Sequence, residues 1–327
     1  MTVKSIIEAI REAMHEEMAA DTRVMVLGED VGTRGGVFLA TQGFIDDFGE
    51  NRVIDTPLGE SSIAGVALGL AFKGLRPIAE IQFSDFWWYA ANQILGEASR
   101  VSYGTNGNLS APLVVRIPYG GGVRGGLFHS QNIESYLYNT PGLKVIAPSN
   151  PYDAKGLLKS AIRDNNPVIF LEHKKIYRAV RGEVPEDDYT IPIGVADVKR
   201  QGDDITLIGY GLVLHYGLEA AANLEDEGVS VEVVDLRTLR PLDKDTILSS
   251  VKKTSKVLII HEANTTGGVG AEVSAIISES AFEYLDAPIS RLCGPDIPTM
   301  PFAPTLEDAY MLNPEKITVA LRELAAY

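Results

Sequence analysis

Two stretches of the chain place reactive side chains in unusual company. In DTPLGESSIAGVALGL, from Asp55 to Leu70, one carboxylate, Glu60, stands where a run of apolar and small residues begins. In YGGGVRGGLFHSQ, from Tyr119 to Gln131, five glycines surround Arg124 and lead to His129. A carboxyl group shielded by apolar neighbours makes strong, directed hydrogen bonds, and an imidazole gives or takes a proton near neutral pH. Each has a plainer reading. An acid at a helix N-terminus gains ~0.3–1 kcal/mol from the helix dipole, and a lone histidine is more often a hydrogen-bonded structural residue. The residues alone leave both readings open. Other chemistries are excluded more firmly. The five histidines (His15, His129, His173, His215, His261) have no metal-ligand spacing. GYGLVL has leucine where a dinucleotide fingerprint needs its third glycine, and no G-x-x-x-x-G-K-[ST] phosphate loop occurs.

The elements that must position these residues alternate in type. The first eighteen residues interrupt their apolar positions with charges, which excludes a signal peptide or membrane span. They predict an amphipathic helix with Ile6, Ile7, Ile10, Ala13 and Met14 on one face. RVMVLG, RPIAEIQF, APLVVRIP, LKVIAPSN and NPVIFLEH predict strands. A helix follows Glu60, and another follows the cap residue Asn150 with Pro151 in its first turn. Such alternation specifies a mostly parallel sheet covered on both faces. From about Arg178 to Arg200 the text turns polar and proline-bearing, as in GEVPEDDYTIPIG, which reads as a linker. DITLIGYG, VSVEVVDLR, KVLIIHEA and APISRLCG then begin a second, smaller α/β domain. Ala64, Gly65, Ala67 and Gly69 suit either close helix packing at a subunit contact or an ordinary tight core.

Composition narrows the function classes. With 327 residues, 45% of them hydrophobic and 22% charged, the chain is globular and long enough for two domains. A net charge of −15 argues against a nucleic-acid partner, which calls for a basic face. The single cysteine, Cys293, excludes an internal disulfide and suits a reducing cytoplasm as the expected compartment.

LGEDVG, GGVF, DTPLGES, EIQFSDF, PYGGGVRGGLFHSQ, the long run PSNPYDAKGLLKSAIRDNNPVIFLEHKKIYR and DLRTLRPLD occur in one order. With them the chain resembles the beta subunit of the decarboxylating first component of 2-oxo acid dehydrogenase complexes, a thiamine-diphosphate enzyme. The C-terminal text, DAPISRLCGPDIPTMPFAPTLEDAYMLNPEKITVALRELAAY, is more similar to the branched-chain enzyme than to the pyruvate enzyme. Pyruvate or acetoin as substrate is the alternative, and a non-catalytic assembly subunit is a second. The resemblance implies a pyrimidine-type thiamine-diphosphate-binding domain over residues 1–185, a linker over 186–200, and a transketolase C-terminal-like α/β domain over 201–327. It further implies an α2β2 heterotetramer in which the alpha subunit holds the diphosphate and its magnesium. The chain agrees by omission, because QGDDIT has an aspartate where the G-D-G motif of a diphosphate site needs its second glycine.

The residue roles also come from the resemblance. Glu60 matches the glutamate that bonds the distal nitrogen of the cofactor's aminopyrimidine and promotes its imino tautomer. Gln82 and Phe86 match positions against the same ring; the family often has tyrosine at the latter, so stacking remains without the phenolic hydrogen bond. Leu58 is expected to pack on that ring. His129 matches the histidine that assists acyl transfer to a lipoyl group delivered by the dihydrolipoyl acyltransferase core. A potassium ion is expected on main-chain carbonyls of Ala111, Leu113, Val114, Ala161, Asp164 and Asn166, oxygen ligands being what a hard cation requires.

Overall fold

The computed structural model describes all residues from Met1 to Tyr327. The chain forms two compact units, the first of residues 1–119 and 136–193, the second of residues 120–135 and 194–327. The first unit opens with a short strand, β1 (Thr2–Ser5), and the helix Ile6–Ala20. The Ser5 amide and hydroxyl both donate to Glu8 Oε2 at 2.7 Å, which satisfies donors that a helix start leaves bare. All five apolar residues of the predicted face are buried. This helix packs on the helix Pro151–Arg163, whose cap Asn150 accepts from the Asp153 amide at 2.9 Å. Between the helices the buried amines of Lys155 and Lys159 reach Glu16 at 2.8 and 2.5 Å, so the acids of the first helix serve its packed face as well as its solvent face.

Six parallel strands form the sheet of this unit: β2 (Val24–Gly28), β3 (Val53–Asp55), β4 (Arg76–Glu80), β5 (Val114–Tyr119), β6 (Lys144–Ile146) and β7 (Val168–His173). They lie side by side in the order β6-β7-β5-β4-β2-β3. β5 and β7 are buried along their whole length, as parallel strands covered on both faces should be. Within this apolar layer sits Arg116, 1% exposed. Its Nη1 donates to Glu80 Oε2 at 2.6 Å, and its Nε and Nη2 donate to the two oxygens of Glu172 at 2.7 Å. The Tyr177 hydroxyl completes the cluster on Glu172 at 2.5 Å. Burial pushes the Glu80 carboxyl up against the pull of Arg116. Burial also opposes the guanidinium's charge, yet Glu172 and Glu80 hold Arg116 above its ordinary value.

The polar stretch read as a linker carries more structure than its composition suggests. β8 (Arg181–Val184) pairs antiparallel with β1. Asp197–Arg200, placed at the end of the linker from sequence, is strand β9 and pairs antiparallel with β11 (Val231–Asp235). Both are short edge strands whose exposed sides tolerate polar residues, so they carry no apolar alternation. The second unit continues with β10 (Ile205–Gly209), β12 (Thr238–Arg240), β13 (Val257–Asn264) and β14 (Ser290–Gly294). Its sheet runs β14-β13-β10-β11-β9, parallel except at β9. The helices Leu212–Asn223 and Pro314–Ala325 share one core with it, through Val213, Ala220, Ile317 and Leu321. The Cys293 thiol lies 3.2 Å from His261 Nε2, and burial raises its pKa to about 11 while lowering that of the imidazole to about 4. No helix is long and apolar enough to cross a membrane.

Removing the guanidinium by Arg116→Met leaves Glu80 and Glu172 buried without a counter-charge. The expected loss is about 3–5 kcal/mol of stability, read from urea unfolding of the purified chain.

Candidate active site

Glu60 is the first residue of the helix Glu60–Phe72, and Gly59 precedes it without a side-chain cap. Strand β3 ends at Asp55, so Thr56–Gly59 form a short connection whose Thr56 amide bonds back to the Gly28 carbonyl at 2.9 Å. The Gly59 backbone amide donates to Glu29 Oε1 at 3.2 Å, and the side-chain Nε2 of Gln82 donates to the Glu29 backbone carbonyl at the same distance. Glu29 therefore ties the start of the Glu60 helix to the loop after β4. Burial raises the pKa of its carboxyl, and the negative charge of Glu60 adds to the effect. Glu60 itself is 8% exposed, and its carboxylate has no hydrogen-bonding partner in the chain. A nearly buried acid without a partner is costly. The arrangement leaves its oxygens for something the chain does not contain.

Gln82 and Phe86 follow β4 on the same side of the sheet end. Phe86 belongs to the 3-10 turn Ser84–Tyr89 and meets Phe83 edge to face with centroids 6.1 Å apart. Leu58, two residues before Glu60, is 82% exposed, so nothing in the chain covers it. Along the helix, Ala64 and Ala67 are buried, whereas a side chain added at Gly69 would meet open space, and Val66 and Phe72 lie exposed. The small residues thus serve the chain's own core on one side and leave an apolar strip uncovered on the other.

The six residues expected around potassium gather at the start of β5 and the end of the helix Pro151–Arg163. Four of those carbonyls already accept hydrogen bonds. Ala111 takes the Leu113 amide at 2.8 Å, Leu113 the Val168 amide at 3.0 Å, Ala161 the Asp164 amide at 3.2 Å, and Asp164 the Arg76 guanidinium at 2.8 Å. Lys144 pairs with the Asp164 carboxylate and Asn166 donates to it, so the positive charges facing this loop are the protein's own.

His129 lies in the second unit, on the segment that leaves β5. The segment closes on itself, with the Gly120 amide donating to the Gln131 carbonyl at 3.1 Å. Its glycines are required by close approach. A Cβ on Gly125 would lie 2.5 Å from the His129 carbonyl oxygen, and Gly126, at φ +66°, would drive one to 2.5 Å from Phe302. His129 is half-buried after the single 3-10 turn Gly126–Phe128. The buried Glu134 follows, accepting from the Tyr210 hydroxyl at 2.9 Å through Oε1 while its Oε2 has no partner. Burial pushes this carboxyl up to about 7, with the charge of Glu262 adding to the rise. Sequence reading missed Glu29, Glu134 and Glu262: Glu29 and Glu262 stand at the ends of apolar strand text, where a chain normally turns out to solvent, and Glu134 opens a short helix with no apolar period. Of QGDDIT, residues 201–204 lie in the turn before β10 and Ile205 and Thr206 open that strand. A side chain at Gly202 would strike the Glu232 backbone, which ties that glycine to close strand packing.

Comparison with known proteins agrees with this architecture. The family described as Transketolase, pyrimidine binding domain, matches residues 3–180, and the one described as Transketolase, C-terminal domain, matches residues 194–317. The 2-oxoisovalerate dehydrogenase subunit beta of Bacillus subtilis (strain 168) is 58% identical over the full length of both chains. The chain belongs to the beta-subunit family of 2-oxo acid dehydrogenase E1 components. Another family member, the pyruvate dehydrogenase E1 component subunit beta of the same strain, is 46% identical, again over all of both chains. A solved split-gene transketolase, an inactive beta4 tetramer, shares the fold at a TM-score of 0.79 with 22% identity, over 98% of each chain. The two matched domain types are those of thiamine-diphosphate enzymes, with the pyrimidine-binding one containing Glu60, Gln82 and Phe86.

The Glu134 carboxyl gives the pH dependence a definite sign. Its folded pKa is raised from 4.5 to about 7, so the folded chain holds a proton that the unfolded chain has released. Its contribution to stability is therefore present at low pH and is lost as pH rises through about 7, with a slope of up to ~1.4 kcal/mol per pH unit between those values. Glu134→Gln keeps the acceptor for Tyr210 and removes the proton. Denaturant midpoints of variant and parent followed from pH 5 to pH 8 should diverge with that slope.

Proposed function

We propose that this chain is the beta subunit of a branched-chain 2-oxo acid dehydrogenase. It acts with an alpha subunit in an α2β2 heterotetramer in oxidative decarboxylation of branched 2-oxo acids and reductive acylation of a lipoyl group. The observation that carries the substrate class is the contrast between two full-length relatives from one strain, 58% against 46% identity in favour of the 2-oxoisovalerate enzyme.

Glu60 supports a role toward the thiamine diphosphate pyrimidine: it is shielded from water, at a helix start, and unpaired within the chain. When bound, that cofactor supplies the carbon nucleophile and the electron sink for decarboxylation. Glu60 would hold the proton shared with the pyrimidine's distal nitrogen, Gln82 and Phe86 would orient the ring, and Leu58 would cover it. The alpha subunit would hold the diphosphate and magnesium. A potassium ion at residues 111–114 and 161–166 would take the second lone pairs of carbonyls already bonded to protein donors. His129 would deliver a proton to a dithiolane sulfur of a lipoyl domain tethered to the acyltransferase core. Residues 1–185 and 201–327 would form the two domains, joined by residues 186–200.

Reconstitution with the alpha subunit tests the reading. Decarboxylation should favour 2-oxoisovalerate over pyruvate, and the opposite preference would reassign the substrate. Glu60→Gln preserves volume but weakens the carboxylate's interaction. It should slow turnover by roughly 10²–10³-fold, on the scale of one preorganised contact, while the thermal midpoint of the assembled tetramer stays unchanged. A variant with full turnover would return Glu60 to a helix-end role.

A further inference from the structure

The loop that carries His129 is held by two buried carboxylates from distant parts of the sequence. At its neck, Glu262, near the end of β13, accepts from the Gly121 amide at 2.6 Å and from Asn132 Nδ2 at 3.1 Å, so one side chain fastens both limbs. On the limb leading to His129, Glu307 of the helix Pro304–Tyr310 accepts from the Gly122 amide at 2.8 Å, the Arg124 amide at 3.2 Å and Arg124 Nη1 at 2.9 Å. Glu307 has no exposure, and every partner of its carboxylate lies in this loop. The relation is reciprocal. Arg124 reaches only the segment around that helix, donating to the Pro304 carbonyl at 3.0 Å and Asp308 Oδ1 at 2.8 Å besides Glu307. Arg124 also has φ +61°, a left-handed conformation that an arginine adopts only when its surroundings impose it. The Thr299 hydroxyl donates to the Leu127 carbonyl at 3.0 Å, adding a contact just before His129.

We propose that Glu307, acting through Arg124, is a positioning residue for His129: the pair latches the loop in the shape that presents the imidazole to the lipoyl group. The inference rests on the acyl-transfer reading of His129 and extends it to residues that need not touch any reactant. A buried carboxylate devoted to one loop fixes that loop's conformation, because releasing it strands the charge. A positioned proton donor is sensitive to displacement, with about 10²-fold lost for a shift of about 1 Å.

The test uses the assembled tetramer with a lipoyl domain, comparing reductive acylation with decarboxylation read by an artificial electron acceptor. Arg124 is half exposed, so Arg124→Ala should fold. It is expected to lower kcat for reductive acylation about 10–100-fold while KM for the lipoyl domain and the acceptor-linked rate stay within about twofold. Arg124→Lys, which keeps a cation for Glu307, should recover most of the loss. Glu307→Gln keeps an acceptor for the amides and should fall between the parent and Arg124→Ala. His129→Ala, run alongside, should show the same split more strongly. A split for His129→Ala with none for Arg124→Ala, or equal loss in both assays for Arg124→Ala, overturns the latch alone. Equal losses for His129→Ala overturn the acyl-transfer reading and the latch with it.

Discussion

The buried guanidinium of Arg116 sets the terms for the first unit. It stands in the middle of β5 between carboxylates of β4 and β7, its neighbours in the sheet, which come from the last residue of β4 and the last but one of β7. Parallel sheets place their working loops at the carboxyl ends of their strands. Here the last residue of β4, Glu80, is an Arg116 partner, and Gln82 follows two residues later. Slipping one strand against another would separate charges that are out of reach of water. An apolar layer of the same volume could be as stable, but it would tolerate more registers. The loop bearing Gln82 therefore starts from a fixed base.

The same means recurs with the opposite emphasis in the second unit. There the buried acids Glu262 and Glu307 accept from backbone amides of a glycine-rich loop and from its Asn132 and Arg124 side chains. Glycine makes the close approaches possible, as the contacts at Gly125 and Gly126 require, but glycine alone would leave the chain loose. The acids supply the order that the sequence of the loop lacks. Glu60 stands in contrast, a buried acid without a partner in the chain, and this is the ground on which we propose that another molecule completes its site.

Much of this was legible in the sequence. The apolar face of the helix Ile6–Ala20, the cap at Asn150 and the buried strands announce themselves through spacing, because burial on a regular element repeats with the element's period. Glu60 was conspicuous for the same reason, as one charge against an apolar run. The edge strands β8 and β9 were not legible, since half their surface faces solvent and their pairing partners lie far away in sequence. Glu29, Glu134, Glu262 and Glu307 were hidden too. Glu29 and Glu262 stand at the ends of apolar strand text and the other two among mixed residues, and only the folded chain shows that their oxygens are withdrawn from water.

The pairing of Cys293 with His261 has a practical consequence. A thiol whose pKa is raised to about 11 is almost wholly un-ionised at neutral pH, and the thiolate is the form that attacks alkylating reagents. The neighbouring imidazole, with its pKa near 4, carries no charge that would draw out the proton. Because this is the chain's one cysteine, slow labelling by maleimides at neutral pH is the expected behaviour of the chain as it stands. A single cysteine engineered beside His129 would take a spin label or fluorophore selectively, so the motion of that loop could be watched without first removing the native sulfur.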